Sequence, residues 1–244
     1  MNAAILVAAG KGVRMGADKL WLEIGGRPVI AHTWKNFNDA KCVDEIILVV
    51  RDGMQKNFSE LAVKFHFQKT FRIVIGGAER QDSVWNGLEA LSSKTEIVAI
   101  QDAARPCTTE TLIAATIEAA REIGAAVAAQ AVTDTIKESF DGKTISRTVD
   151  RSKLWSVQTP QTFRVEVIRR AISAARQKNL ILTDDTAACE LIGQSVRLVP
   201  SAAPNPKVTV PGDLPFIENL LREHLTLNIQ HPIRDSAMVL DVER

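Results

Sequence analysis

Cysteine is scarce in this chain of 244 residues: there are three, Cys42, Cys107 and Cys189, far apart and without a CxxC pair. That spacing excludes a disulfide framework and gives no zinc-site signature, and it leads us to expect a reducing, cytoplasmic setting. An excess of charge of either sign is lacking too. Thirty basic residues face 29 acidic ones, which argues against nucleic acid or an anionic membrane as partner and makes any anion site local. Long apolar runs are absent: none approaches the ~20 residues of a membrane span, and the first, Ala3 to Ala9, stops at Gly10, too short for a leader segment. We therefore expect a soluble, untargeted protein. No GxSxG occurs, and His32, His66, His224 and His231 stand apart from every motif described below, so nothing suggests a nucleophilic hydrolase.

What the sequence does have is 45% hydrophobic residues, enough for one large core. Apolar runs of strand length recur at Ala4 to Ala8, Ile46 to Val50, Arg72 to Ile75, Ile97 to Ile100 and Ala125 to Val132, with helical periodicity between them. Val84, Leu88 and Leu91 share one helical face, as do Leu112, Ile113, Ile117 and Ala120. Such alternation predicts an α/β fold with a mostly parallel, covered sheet. The pattern breaks after Val132. Thr135 to Phe140 and Lys143 to Val149 read as a β-hairpin turned at Asp141-Gly142, an arm spanning about 135–155 with too little apolar surface to stand alone. Helical periodicity returns from Val165 to Ala175 and after Thr183-Asp184-Asp185, a strand is expected at Val196 to Val199, and Asp213 to Leu221 forms a last helix. One domain over 1–225 and a tail over 226–244 follow from this pattern.

The first strand runs into Ala8-Ala9-Gly10-Lys11-Gly12-Val13-Arg14-Met15-Gly16-Ala17-Asp18-Lys19, at the strand end where open α/β sheets bind ligands. Its glycines would let backbone N–H groups wrap phosphates. A dinucleotide fingerprint does not fit, because the third glycine falls one residue late; nor does a Walker A loop, because Gly142-Lys143-Thr144 has Lys137 at the first glycine position. A solvated glycine turn carrying unrelated lysines is the simpler alternative for the loop alone. Gly76-Gly77 offers a second close backbone approach, next to Arg80 and Ser83, and Asp102 ends the fourth strand, where a carboxylate can hold Mg²⁺ or a ribose hydroxyl or merely cap a turn.

The first loop resembles the AAGxGxRM…K signature of nucleotidyltransferases. Gly76 to Val84, Asp102-Ala103-Ala104-Arg105-Pro106, Asp134-Thr135-Ile136-Lys137, Thr148-Val149-Asp150-Arg151, Gln158-Thr159-Pro160-Gln161 and Lys207-Val208-Thr209 make the whole similar to the 2-C-methyl-D-erythritol 4-phosphate cytidylyltransferases. The resemblance spans residues 1 to about 222. It implies a Rossmann-like nucleotidyltransferase fold, Mg²⁺ dependence, a homodimer joined through the arm, and transfer of CMP from CTP to a polyol phosphate of the non-mevalonate isoprenoid route. By the same resemblance, Arg14, Lys19 and Lys207 stabilise the transition state at the α-phosphate. Ala8, Ala9, Gly10, Gly12, Gly76, Gly77, Ala78, Ser83 and Asp102 bind CTP, with Asp102 also the metal ligand. Arg105, Thr135 and Arg151 hold the acceptor phosphate. Two departures stand out: Asp18 and Leu20 flank Lys19 where the family usually has proline and glutamine, which leaves Lys11 able to share the role of Lys19. A ribitol 5-phosphate cytidylyltransferase is the nearest alternative. The chemistry suits a site made of cations, since a phosphate monoester with a second pKa of about 6 needs no general base and phosphoryl-type transfer rests on positioning and charge neutralisation.

Overall fold

The computed structural model describes residues 1–10 and 18–230, with side chains described through residue 223. The elements in chain order are β1 (Asn2–Ala8), β2 (Glu23–Ile24), β3 (Arg27–Pro28), α1 (Val29–Asp39), β4 (Glu45–Val50), α2 (Gln55–Lys64), β5 (Phe71–Ile75), α3 (Arg80–Glu89), β6 (Ile97–Asp102), α4 (Glu110–Ile123), β7 (Ala125–Ala131), β8 (Ile136–Glu138), β9 (Arg147–Val149), β10 (Trp155–Arg164), α5 (Val165–Gln177), α6 (Asp185–Leu191), β11 (Arg197–Pro200) and α7 (Asp213–Gln230). Seven strands form the main sheet in the order β11-β7-β10-β6-β1-β4-β5. All run parallel except β10, which is antiparallel to both neighbours.

The expected α/β architecture with a mostly parallel sheet is there, and both faces of the sheet are covered. Alternation along β1 sends Ala4, Leu6 and Ala8 into one core with Trp34, Phe37, Phe58, Ile113 and Ile217, from α1, α2, α4 and α7. Ile5 enters the other core with Val84, Leu88, Ile168 and Ile172, from α3 and α5. β4 is buried along its whole length as Glu-Ile-Ile-Leu-Val-Val, the composition of a central parallel strand. Its one charge, Glu45, is balanced by Arg72 at 3.3 Å and accepts hydrogen bonds from Ser92 N at 3.0 Å and Thr95 Oγ1 at 2.8 Å. Helix α4 starts at an N-cap, Thr109, that accepts from Leu112 N, and ends at Gly124 in the left-handed region.

Strand order reverses between β1 and β6: the chain leaves β1 toward β4 and β5, then crosses back to lay β6 on the other side of β1. A crevice at the carboxyl ends of those two strands is where such a sheet accepts a ligand.

Three local readings differ from what the sequence suggests. The arm is not closed by a two-residue turn. β8 and β9 pair only from Ile136↔Val149 to Glu138↔Arg147, leaving residues 139–146 as a loop. Asp141 organises that loop by accepting from Lys143 N and Thr144 N, each at 2.8 Å, and from the Ser139 and Thr144 hydroxyls, so a side-chain turn displaces a tight backbone turn. β10 was not legible as a strand because Pro160 lies inside it; the ladder with β7 shifts between Val157 and Gln161, which absorbs a residue that has no N–H to give. Helix α7 is described over Asp213–Gln230 and so passes residue 225, since a helix nucleated on buried Ile217 and Leu220 propagates at little cost. The tail beyond it, 231–244, lies outside the described residues.

Candidate active site

A cavity of about 200 Å³ opens at the β1/β6 switch point. Val7, Ala9 and Gly10 line it from the end of β1, and Asp102, Ala103 and Ala104 from the end of β6. Gly77, Ala78 and Glu79 form a third wall, continued by Arg80 and Ser83 of α3, while Lys19, Leu20 and Lys207 complete the rim. Eight of the residues singled out from the sequence therefore meet in one place: Ala9, Gly10, Lys19, Gly77, Ala78, Ser83, Asp102 and Lys207. Ala8, 4% exposed, and Gly76 stand just behind the wall. Gly12, Arg14 and Lys11 lie outside the described residues.

The two adjacent glycines are demanded by contact. A Cβ on Gly76 would fall 2.4 Å from Ala9 Cβ and 2.8 Å from Ser83 Oγ; one on Gly77 would fall 2.3 Å from Asp82 Cβ. The second loop thus lies directly on the first. Ser83 is buried, and its hydroxyl accepts from Gly77 N at 3.1 Å and donates to Glu79 O at 3.2 Å. Its hydrogen is therefore spent inside the loop, and what it offers a ligand is an acceptor lone pair. Glu79 N in turn donates to Asp82 at 3.2 Å, which closes the start of α3.

Asp102 is the electrostatic centre. Lys207 Nζ lies 2.8 Å from its carboxylate, and Arg80 and Arg105 each lie 3.6 Å away. Burial alone would raise the Asp102 carboxyl, but Lys207, Arg80 and Arg105 outweigh it and hold the group below the ordinary carboxylate range. Arg80 also reaches Asp185 at 2.8 Å, and it bridges α3, β6 and α6 as a result. Fully buried Asp185 has its carboxyl pushed up by desolvation against the pull of Arg80. Arg105, only 11% exposed on its side chain, donates to Asn205 O at 2.7 Å and does not line the cavity.

Lys19 Nζ donates to Val208 O at 2.9 Å, and Val208 N donates to Ala104 O at the same distance. The first loop, the end of β6 and the segment carrying Lys207 are thereby laced together. The two departures around Lys19 have structural duties of their own: Asp18 pairs with Arg51 and accepts from Leu20 N, and Leu20 packs into the core at 4% exposure.

Thr135 and Arg151 are exposed on the arm and at its root, and neither lines the cavity; Arg151 Nη1 donates to Thr133 O. Burial pushes the Cys107 and Cys189 thiols up to about 12, which leaves them unreactive packing groups. Among the described residues no cluster of three or more His, Cys, Asp or Glu side chains could enclose a metal. The Asp102 carboxylate fits Mg²⁺ only where phosphates and water supply the other oxygens. No helix among the described residues is long and apolar enough to cross a membrane.

A family model for 2-C-methyl-D-erythritol 4-phosphate cytidylyltransferase matches residues 2–223. The chain belongs to that family. The cytidylyltransferase of that name from Alkaliphilus oremlandii is 43% identical over 224 residues, 91% of this chain and 95% of that one. Its namesake from Geobacillus kaustophilus is 42% identical, with 91% and 97% covered. The crystal structure of 4-diphosphocytidyl-2C-methyl-D-erythritol synthase from Anaerococcus prevotii has a TM-score of 0.81 at 31% identity, covering 91% of this chain and 96% of its own.

Within this cytidylyltransferase the structure adds residues that the sequence did not single out. Asp185 completes the Arg80 bridge. Thr159, recognised only as part of Gln158-Thr159-Pro160-Gln161, accepts from Asp102 N through Oγ1 at 3.1 Å. Gln161 donates to Asp184 and accepts from Asp185 N, each at 2.9 Å. Their signal lay in the motifs; their connections did not.

Proposed function

We propose that this chain transfers CMP from CTP to the phosphate of 2-C-methyl-D-erythritol 4-phosphate and releases pyrophosphate. The reading rests on the family together with one observation: a carboxylate ringed by Lys207, Arg80 and Arg105 stands at the switch point, opposite a loop pressed so close that two glycines are needed. The acceptor phosphate, with a second pKa of about 6, arrives as its own nucleophile. It attacks the α-phosphorus in line, and pyrophosphate leaves. Lys19 and Lys207, with Arg14, face the α-phosphate and stabilise the charge that builds on it, the largest kind of catalytic contribution in such a site. Asp102 and the triphosphate would hold Mg²⁺, which supplies further charge neutralisation. Gly76, Gly77, Ala78 and Ser83 hold cytosine and ribose, with Ala8, Ala9 and Gly10 beneath the nucleotide; Gly12 is a further CTP contact. Arg105, Thr135 and Arg151 bind the acceptor phosphate, the last two from the arm of a second subunit. Pyrophosphate release measured with CTP, ATP and GTP against methylerythritol 4-phosphate and ribitol 5-phosphate tests this. CTP with methylerythritol 4-phosphate should be fastest by far. Equal turnover of a purine triphosphate, or preference for ribitol 5-phosphate, would overturn it.

A further inference from the structure

Lys207 has to stand within reach of both Asp102 and a phosphate, yet the chain around it belongs to no helix or strand: nothing regular intervenes between β11 and α7. A segment without a ladder must be fixed by particular side chains. The residue two positions upstream, Asn205, is 2% exposed, and its side-chain amide and its carbonyl are all hydrogen-bonded. Nδ2 donates to Thr159 O at 2.8 Å, Oδ1 accepts from Thr108 Oγ1 at 3.0 Å, and its carbonyl accepts from Arg105 Nη1 at 2.7 Å. Two of these partners touch Asp102, and the third, Thr108, is bonded to its neighbour Gln101. Thr159 Oγ1 takes the Asp102 N–H at 3.1 Å, and Arg105 lies 3.6 Å from the Asp102 carboxylate. The flanking residues narrow the segment further. In Pro204-Asn205-Pro206, both prolines have fixed φ and no N–H, and each restricts the residue before it.

We infer that Asn205 is a positioning residue of the transfer reaction, locking the Lys207 segment onto the turn and strand that hold Asp102, so that the Lys207 ammonium is placed by a buried amide. The inference rests on the functional reading of Lys207 given above. Misplacing a charged group by about 1 Å in such a site lowers rate far more than it lowers ground-state binding. Asn205 should therefore act on kcat, and only through Lys207.

The test is a cycle of four proteins: the parent, Asn205→Ala, Lys207→Ala and the double variant, with kcat and KM for CTP and a thermal midpoint for each. Asn205→Ala should lower kcat at least about 10-fold and change KM for CTP less than about 3-fold; in the Lys207→Ala background the same change should cost less than about 3-fold in kcat, because a positioning residue loses its effect when the group it positions is gone. A merely structural role gives a lower midpoint with kcat kept, or the same factor in both backgrounds, and either result overturns the inference. If Asn205→Ala does not fold, Asn205→Ser leaves a smaller cavity, adds no charge and removes the amide N–H given to Thr159, so it carries the same cycle. Full kcat in Lys207→Ala alone would be a failure of the functional reading and would take the inference with it. A large loss in Lys207→Ala with independent losses at Asn205 would be a failure of the inference only.

Discussion

The cavity at the β1/β6 switch point and the arm of β8 and β9 are both rich in charged side chains, but they use them in opposite ways. In the cavity the pairs cross between elements: Arg80 of α3, 30% exposed, joins Asp102 of β6 to Asp185 of α6, whose side chains are 12% and 2% exposed. In the arm they stay home. Arg147 grips Glu138 across the hairpin at 2.7 Å and 3.0 Å, and Lys137 donates to Thr148 at 2.7 Å, all exposed. Exposed pairs of that kind add little stability and fade with salt. The arm also leaves Phe140 88% and Ile145 67% exposed. The arm is held by its own solvated pairs, with Phe140 and Ile145 facing out, whereas the cavity is held by pairs that tie separate elements together.

The largest effect expected from this contrast is on the cavity side. Lys19→Ala should lower kcat at least about 100-fold while affecting CTP affinity less, as removal of one transition-state charge contact does. Steady-state pyrophosphate release is the measurement, and the assignment fails if Lys11→Ala has that effect and Lys19→Ala does not.

A smaller effect tests the claim that the cavity walls are rigid. Gly76→Ala forces a methyl group against Ala9 and Ser83 and should cost about 1–3 kcal/mol of stability, as overpacking does. Thermal unfolding should show a midpoint lowered by several degrees, and added CTP should raise that midpoint less than it does in the parent. An unchanged midpoint would mean that the two loops yield easily.

The smallest expected change in rate, about two-fold, concerns the arm. If Arg151 serves the partner's site, then mixing inactive Arg151→Ala chains with inactive Lys19→Ala chains should restore roughly half the parent activity per mixed dimer, because the exchange leaves one site with both defects and the other intact. Mixed dimers verified by native mass spectrometry but showing no activity would place Arg151 on its own chain's site or on none, and would remove the reason for contrasting the arm with the cavity.

How much of this was legible in the sequence follows the same division. The parallel strands were read correctly because buried runs such as Ile46 to Val50 have no competing interpretation, and Gly76-Gly77 announced a close approach that the structure explains atom by atom. What escaped were the features that depend on distant partners. Nothing in Thr159-Pro160-Gln161 says that the segment forms a central strand against β6, since proline argues locally against it. Arg105 read as a substrate contact, but its environment is set by Asn205, 100 positions along the chain. Arg80 was noted only as a neighbour of the Gly76-Gly77 turn, and only the fold brings Asp185 to it. Asp141-Gly142 carried a strong tight-turn signal that the Asp141 side chain overrides.

The placement of β10 also bears on synthesis. The strand that fills the gap beside β6 is made only after α4, β7 and the arm have been made. A chain emerging from the ribosome as far as Val149 therefore carries β6 with one edge unpaired, the kind of edge that invites pairing with another chain. Strand β10 closes that edge and delivers Thr159 to Asp102 in the same step. Lys207 follows later still. The carboxylate at the end of β6 is made after both glycine loops but before Thr159 and Lys207, so a growing chain holds most of the pocket wall before it holds the two groups that fix Asp102.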